Sequence, residues 1–436
     1  MQKIFSCLLV VVFLVQGLNT NAQQKLSIRD AIQIALKNSY DIKLVENTVA
    51  IAKNNNDYGV AGALPTVSAT GNENKTSSTL QQQYADPTRN TTKSGVDGTT
   101  VSAGVSASLI LFNGYRVQTT KERLAILENQ SNSFLQTQIQ NTTATVMQQY
   151  YNIVRQQAYL TTIEKSIEAS QQRLDIIKEK QKVGVANEAD LLQSNLDLNA
   201  LLQAKQNQLL VIDQAKDDLL NTMVMPANAA ITISDSIFVD GTLSFKDIEA
   251  KSLLNPSLQS AEQQIKINQL IEKETRALMY PTLRANTGYN FSSNKSAAGF
   301  SLLNETYGPT LGVTLSVPLY AGGASKKSYK NAIINTSSAN IQYQNAIADM
   351  ATSVTKTYQS YKTSVNQLGT EAENYQMSQA LLNLVMQKFQ LGSATIVDVK
   401  QAQQSFENAG FRLVSLVYTA KIAEVELKRL SNQLAF

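Results

Sequence analysis

The chain of 436 residues is 43% hydrophobic and 7% aromatic, and it sets 38 Lys and Arg against 34 Asp and Glu. A formal charge of +4 with no block of like charges leaves no electrostatic footprint for nucleic acid. The chain has no His, and its one Cys, Cys7, falls in the segment expected to be removed, so imidazole metal sites, thiolate nucleophiles and structural disulfides are not expected and any chemistry would rest on carboxylates, hydroxyls, Tyr, Lys or Arg.

The first segment carries Lys3, an apolar run from Ile4 to Val15 and a polar stretch ending near Ala22. That run is too short to span a bilayer as a helix, so residues 1–22 are expected to be a secretory signal peptide. Cys7 lies inside the run, too early for a lipid-bearing cysteine. A short helix is expected at "LSIRDAIQIAL" (Leu26 to Leu36), then a strand over about residues 64–72 beginning in "ALPTVSATG". The polar, turn-rich stretch from Asn72 to Thr100 reads as a loop. A second strand, over about 101–113, alternates apolar Ala103, Val105, Ala107, Leu109 and Leu111 with Ser102, Gly104, Ser106 and Ser108; Ile110 is the exception. In "LFNGYR" the strand is expected to turn sharply into a helix at Gly114.

No proline occurs between Pro87 and Pro226, and from Gly114 to Pro226 the only interior glycine is Gly184. Long helices are therefore expected over about 115–182 and 187–223, broken at "QKVGVANEADLLQ". An arm of about seventy residues would be roughly 100 Å long. Residues 224–243, "VMPANAAITISDSIFVDGTL", read as a linker. The order then repeats: "LSFKDIEAKSLL" (Leu243 to Leu254), strands over about 280–291 and 307–319, a loop from Ser292 to Glu305, a corner at Gly322 and Gly323, and helices over about 324–390 and 395–430. An offset of 208 positions carries Gly184 onto Gly392, Asp190 onto Asp398 and Gly114 onto Gly322. The chain is thus a duplication, with repeats at 23–223 and 244–436. Apolar residues recur every seven positions at Ile139, Val146, Ile153, Leu160, Ile167 and Leu174, and again at Ile347, Val354, Tyr361, Leu368, Tyr375 and Leu382, as in a coiled coil.

In "YGPTLGVTLSVPLY" (Tyr307 to Tyr320), Leu311, Val313, Leu315, Val317 and Leu319 alternate with small or polar residues. One oily and one wet face over some twelve residues is the pattern of a transmembrane barrel strand, and long helical rods offer no core to cover the oily side. Four strands cannot close alone, and open edges are not tolerated in lipid. Two chains would fill an eight-stranded interior with side chains; three give twelve strands and room for a channel, so three is preferred.

Together the signal segment, the duplication, the "PTV" and "PTL" strand starts, the "LFNG" and "LYAGG" corners and the "VGVANEAD" and "LGSATIVD" breaks resemble the TolC-type outer-membrane efflux proteins of Gram-negative bacteria, over nearly the whole chain. The resemblance implies a mixed α and β fold: a homotrimer with a shared 12-stranded transmembrane β-barrel in outer-membrane lipid and a periplasmic α-barrel of long coiled-coil hairpins. The linker and the C-terminal residues would form an equatorial belt. It further implies that the breaks are hairpin turns at the periplasmic tip, where Val183, Gly184, Val185, Leu391, Gly392 and Ser393 match the motif that docks a periplasmic adaptor (membrane fusion) protein. Through that adaptor an inner-membrane transporter of the RND, ABC or MFS class would supply energy, with no cofactor and no chemistry in this chain.

By the same resemblance Asp398 matches a carboxylate of the pore constriction. Three copies would repel, raise one another's pKa and favour cations or a divalent ion. The chain departs from the family pattern at Gln401, often a second acid, and at Phe389 and Ala394, where a Tyr and Arg latch can stand, which leaves Asp190 without those partners. Alternatively, either Asp caps the helix after its turn. Two other functions compete: a trimeric coiled-coil stalk or adhesin on a shared barrel, disfavoured because strands and rods interleave twice, and a hydrolase using Asp190 and Asp398, disfavoured by the absence of Trp platforms. No glycine loop suited to phosphate is present.

Overall fold

The computed structural model describes residues 24–227, 229–297 and 301–434, so the expected signal peptide lies outside the described residues. In chain order the elements are β1 (Gln24–Lys25), α1 (Ile28–Asn38), α2 (Tyr40–Asn55), β2 (Thr66–Gln82), β3 (Thr91–Phe112), α3 (Arg116–Lys182), α4 (Glu188–Thr222) and β4 (Ile231–Thr232). There follow α5 (Phe245–Ser252), α6 (Pro256–Ala277), β5 (Thr282–Ser296), β6 (Leu303–Ser316), α7 (Ala324–Gln390) and α8 (Ile396–Leu430). The described residues fold as two compact units, one within 47–133 and 259–346 and one within 24–46, 134–258 and 347–434.

The first unit holds an antiparallel sheet in the order β2-β3-β5-β6. Residues facing one another across an antiparallel ladder share a face. One row therefore runs through Val67 and Ala69, Ala107 and Val105, Thr287 and Tyr289, and Leu311 and Pro309, with Leu283 paired to Leu315 and Ala285 to Val313. This apolar face is uncovered: Leu311 is 86% exposed and Val67 68%. The opposite face is a polar ladder in which Ser68 bonds Ser106 at 3.2 Å, Ser108 donates to Asn286 at 2.9 Å and Asn286 donates to Thr314 at 2.9 Å. Ile110, the exception to the alternation, lies on that polar face. A Cβ added at Gly62 would lie 4.0 Å from Ile110 Cδ1 and from Val117 Cγ2, so the isoleucine sits beside Gly62 and is only half-exposed.

The loop expected over 72–100 is mostly strand: β2 continues to Gln82 and β3 starts at Thr91. Its side chains are polar on both faces, which erases the period-two signal while the backbone ladder continues from Asn72↔Ser102 to Gln82↔Thr91. On the other hairpin β5 runs on to Ser296 and β6 begins at Leu303, while β6 ends at Ser316, short of the expected 319 and before Pro318, which cannot donate to a ladder. At the strand-to-helix corner Gly114 has φ +70°, and a Cβ there would lie 2.9 Å from Tyr280 Cβ. Backbone conformation and contact both demand glycine.

In the second unit the duplication becomes physical. Tyr150 donates its hydroxyl to the Leu26 carbonyl at 2.9 Å, and Tyr358, 208 positions on, donates to the Leu243 carbonyl at 3.4 Å. Asn38 donates to the carbonyl of Met223 at the end of α4 at 3.4 Å, and Asn255 does the same for α8 at Arg429 and Leu430. Each repeat thus satisfies orphan carbonyls at the end of its returning helix with an asparagine at the end of its short helix, Asn38, or just beyond it, Asn255. The linker is sewn in by β1, which pairs parallel with β4, and by Ile231 and Ile233, buried with Leu26, Ile32, Val146, Tyr150, Ile153 and Leu219. Of the twelve heptad positions Val146, Ile153, Leu174, Val354, Tyr361 and Leu382 are buried, and the other six are half-buried.

Both returning helices end in a left-handed residue, Val224 at φ 55° and Asn432 at φ 57°, with the next amide closing the turn onto Leu220 and Lys428. Asparagine tolerates that conformation; a β-branched side chain does not. Val224→Asn is expected to stabilise the protein by about 1 kcal/mol, read as a rise in thermal midpoint. A fall in midpoint would mean that the valine side chain contributes more than its backbone strain costs.

Candidate tip and pore site

The end of α3 and the end of α7 fold into the same turn. Val185 N donates to Lys180 O and Ser393 N to Lys388 O, each at 2.8 Å, while Gly184 and Gly392 sit at φ +77° and +81°. No atom lies within 4 Å of where a Cβ would be on either glycine, so the conformation and not crowding requires them. Around them Val183, Val185 and Leu391 are 72%, 74% and 81% exposed. Beneath the turns an apolar plug of Ile177, Phe389 and Val399, flanked by Ala186, Leu191 and Ala394, ties the hairpins together. Lys180 reaches across, donating to the Phe389 carbonyl with its ammonium 4.2 Å from that ring's centre. Phe389 and Ala394 therefore serve packing.

The two aspartates differ. Asn187, not Asp190, caps α4, accepting from Asp190 N at 2.8 Å. Asp398 closes a capping box on α8: its carboxylate accepts from Thr395 N at 2.8 Å and from Thr395 Oγ1 at 2.7 Å, while Asp398 N donates back at 3.2 Å. These bonds from Thr395 hold the Asp398 carboxyl below the usual carboxylate range. Gln401 lies exposed one turn further along α8. Among the described residues no hydrogen bond joins Asp190, Asp398 and Gln401 within one chain. The corner glycines Gly114, Gly322 and Gly323 belong to the sheet unit and not to this site.

Sequence reading missed a charged brace just behind the plug. Arg173 of α3, 1% exposed, donates through Nη2 to Asp197 Oδ2 of α4 at 2.9 Å. Lys400 of α8 and Gln193 donate to the other oxygen, Oδ1, at 3.0 and 2.8 Å. Burial pushes the guanidinium pKa down against the pull of Asp197. Burial also pushes Asp197 up, but hydrogen bonds from Lys400 and Gln193 and the charge of Arg173 outweigh it, and the carboxyl stays below its ordinary range. Among the described residues, Nε and Nη1 of Arg173 have no hydrogen-bond partner. A signal did exist in the sequence, because the positions related to Arg173, Asp197 and Lys400 by the 208-residue offset are Leu381, Ser405 and Leu192. The repeats carry charge where their counterparts do not.

The sequence profile described as outer membrane efflux protein matches residues 31–222 and 250–433. Outer membrane protein TolC of Escherichia coli K12 is 22% identical over 355 residues, 79% of this chain and 71% of that protein. The proteases secretion protein PrtF of Dickeya chrysanthemi is 22% identical over 428 residues, 94% and 88% of the two chains. The Campylobacter jejuni CmeC outer membrane channel shares the fold with a TM-score of 0.75 at 16% identity, covering 94% of this chain and 87% of that one.

Proposed function

We propose that three copies of this chain, which belongs to the outer membrane efflux protein family, close a single channel by pairing the β6 edge of each copy with the β2 edge of the next. The protein is an outer-membrane exit duct for efflux or secretion. One observation carries the trimeric reading: a four-stranded sheet with two free edges presents an uncovered apolar face on one side and a hydrogen-bonded polar ladder on the other. In lipid the edges must pair, and β6 runs antiparallel to a following β2 without any change of order. Charged Glu73 and Glu305 enter the oily face only in the row beyond Ala103, Phe291 and Tyr307, with Lys75 and Lys295 one row further. The apolar band from Leu283 to Phe291 is thus nine residues long, which suits a tilted transmembrane strand.

The polar ladder then lines the barrel, and the helical repeats continue the duct through the periplasm. Exposed Val183, Val185 and Leu391 around the open glycines offer the surface on which an adaptor's hairpins dock. An inner-membrane transporter beyond the adaptor drives export, and this chain performs no chemistry. Family membership does not favour the alternative of a trimeric stalk or adhesin. Asp398, with Gln401 beside it and Asp190 on the neighbouring hairpin, forms the constriction at the tip. In the ring, repulsion among three carboxylates opposes the lowering that each receives from Thr395.

Single channels in planar bilayers test the assignment. The wild-type protein is expected to conduct with a preference for cations and to be blocked by divalent ions, and Asp398→Ala to weaken both properties. Thr395→Ala removes the cap but keeps the charge, so it is expected to retain divalent block. Asp398→Ala channels with unaltered block would take Asp398 out of the lumen.

A further inference from the structure

The polar face of the sheet carries one feature that its ladder of hydroxyls and amides does not explain. Strand registers fix its membership: Asn74, Thr100, Asn294 and Asn304 align at one end, and Ile110, Arg284 and Thr314 at the other. Between these limits the face consists of Ser, Thr, Asn and Gly, and among the described residues Arg284 is its one charged side chain. Its direct neighbours across the ladders, Ile110 and Thr314, offer no carboxylate, and the guanidinium is exposed. Charge on the opposite face is confined to the far end, at Glu73, Lys75, Asp97, Lys295 and Glu305. Arginine keeps its charge at every working pH, and a position paired only to isoleucine and threonine gives it no structural partner.

We propose that Arg284 is a specificity-determining residue of the barrel, forming a ring of three cations that favours anionic solutes at the end of the lumen nearest the helices. This inference rests on the trimeric channel described above. Rings of basic side chains select anions in pores as acidic rings select cations, and here no acid on the same face offsets them. The duct therefore carries two filters of opposite sign, carboxylates at the tip and guanidinium groups at the barrel, and the second acts whenever the tip is open. The substrate class it fits is a solute with a carboxylate or phosphate group, while a polycation would be disfavoured.

The experiment measures reversal potentials in a KCl gradient, with Asp398→Ala as the parent channel so that tip carboxylates do not contribute. The parent is expected to prefer chloride, and Arg284→Gln to lower the chloride-to-potassium permeability ratio roughly two- to threefold at about 0.1 M salt, where the ring acts over about one Debye length. Arg284→Lys should keep the preference, and the difference should vanish near 1 M salt, where the Debye length is about 3 Å. Ile110→Glu leaves the arginine in place and sets an acid directly across from it, so it is expected to cancel the preference even if Arg284→Gln fails to fold. Channels that form normally but show the same ratio in the parent, Arg284→Gln and Ile110→Glu overturn the ring alone. Purified parent protein that forms no channels at all overturns both the ring and the trimeric reading.

Discussion

Replacing Gly184 or Gly392 with tryptophan is expected to give a folded trimer that no longer binds its adaptor. Both glycines have positive φ, so any side chain costs about 1–2 kcal/mol of backbone strain. That is a fraction of the 5–15 kcal/mol of a typical folded protein. Nothing beyond the chain neighbours lies within 4 Å of a Cβ at either position, so a side chain can leave the turn without a clash at its root, and the indole adds bulk to the surface that exposes Val183, Val185 and Leu391. An alanine at either position carries the same strain with almost none of the bulk. Co-purification of the adaptor from native membranes should therefore be lost with tryptophan and largely kept with alanine, while native mass shows trimers in both. Tryptophan variants that retain the adaptor would remove the turns from the docking surface.

The second large effect concerns the brace of Arg173, Asp197 and Lys400. Asp197→Ala leaves the guanidinium of Arg173, 1% exposed, without its carboxylate. Removing one partner of a buried pair costs about 3–5 kcal/mol, chiefly because the remaining charge is uncompensated. Arg173→Leu with Asp197→Ser, which copies the uncharged residues at the related positions Leu381 and Ser405, is expected to recover most of that loss. Denaturant midpoints of the three proteins provide the check; a single mutant as stable as wild type would show that Arg173 finds other solvation. The sign of the pH dependence follows from the lowered carboxyl of Asp197. Its stabilising contribution is complete above the ordinary carboxylate range and is lost as acidification passes down through its depressed pKa. In Asp197→Ala that acid-sensitive component should be missing.

Much of this architecture could be read from residue order. Alternation in Leu311, Val313 and Leu315 marked the lipid face because only a period of two produces it, and the 208-residue offset aligned the turns at Gly184 and Gly392 because both need the same left-handed φ. The far half of the β2–β3 hairpin was not legible, since residues 73–82 are polar on both faces apart from Leu80 and leave no pattern. The role of Asp398 was only half visible: Thr395 three residues before it signals a capping box, yet that cap and a lumenal charge occupy the same carboxylate. Arg173, Asp197 and Lys400 lie on three different helices, so their meeting depends on packing and no local spacing announces it. Asn38 and Asn255 were hidden for the same reason, each capping a helix more than 170 residues away in sequence.

The central claim is that the uncovered face of the sheet meets lipid while the ladder face meets water. Because the only cysteine is Cys7, in the expected signal segment, single cysteines can be introduced along β6 without background. Spin labels at successive positions 310 to 315, in protein reconstituted into vesicles, report collision with oxygen in lipid or with a water-soluble nickel complex. Strict alternation is predicted, with oxygen dominating at 311, 313 and 315 and nickel at 310, 312 and 314. Equal nickel access at all six positions, or protection from both reagents at the odd ones, would contradict the account.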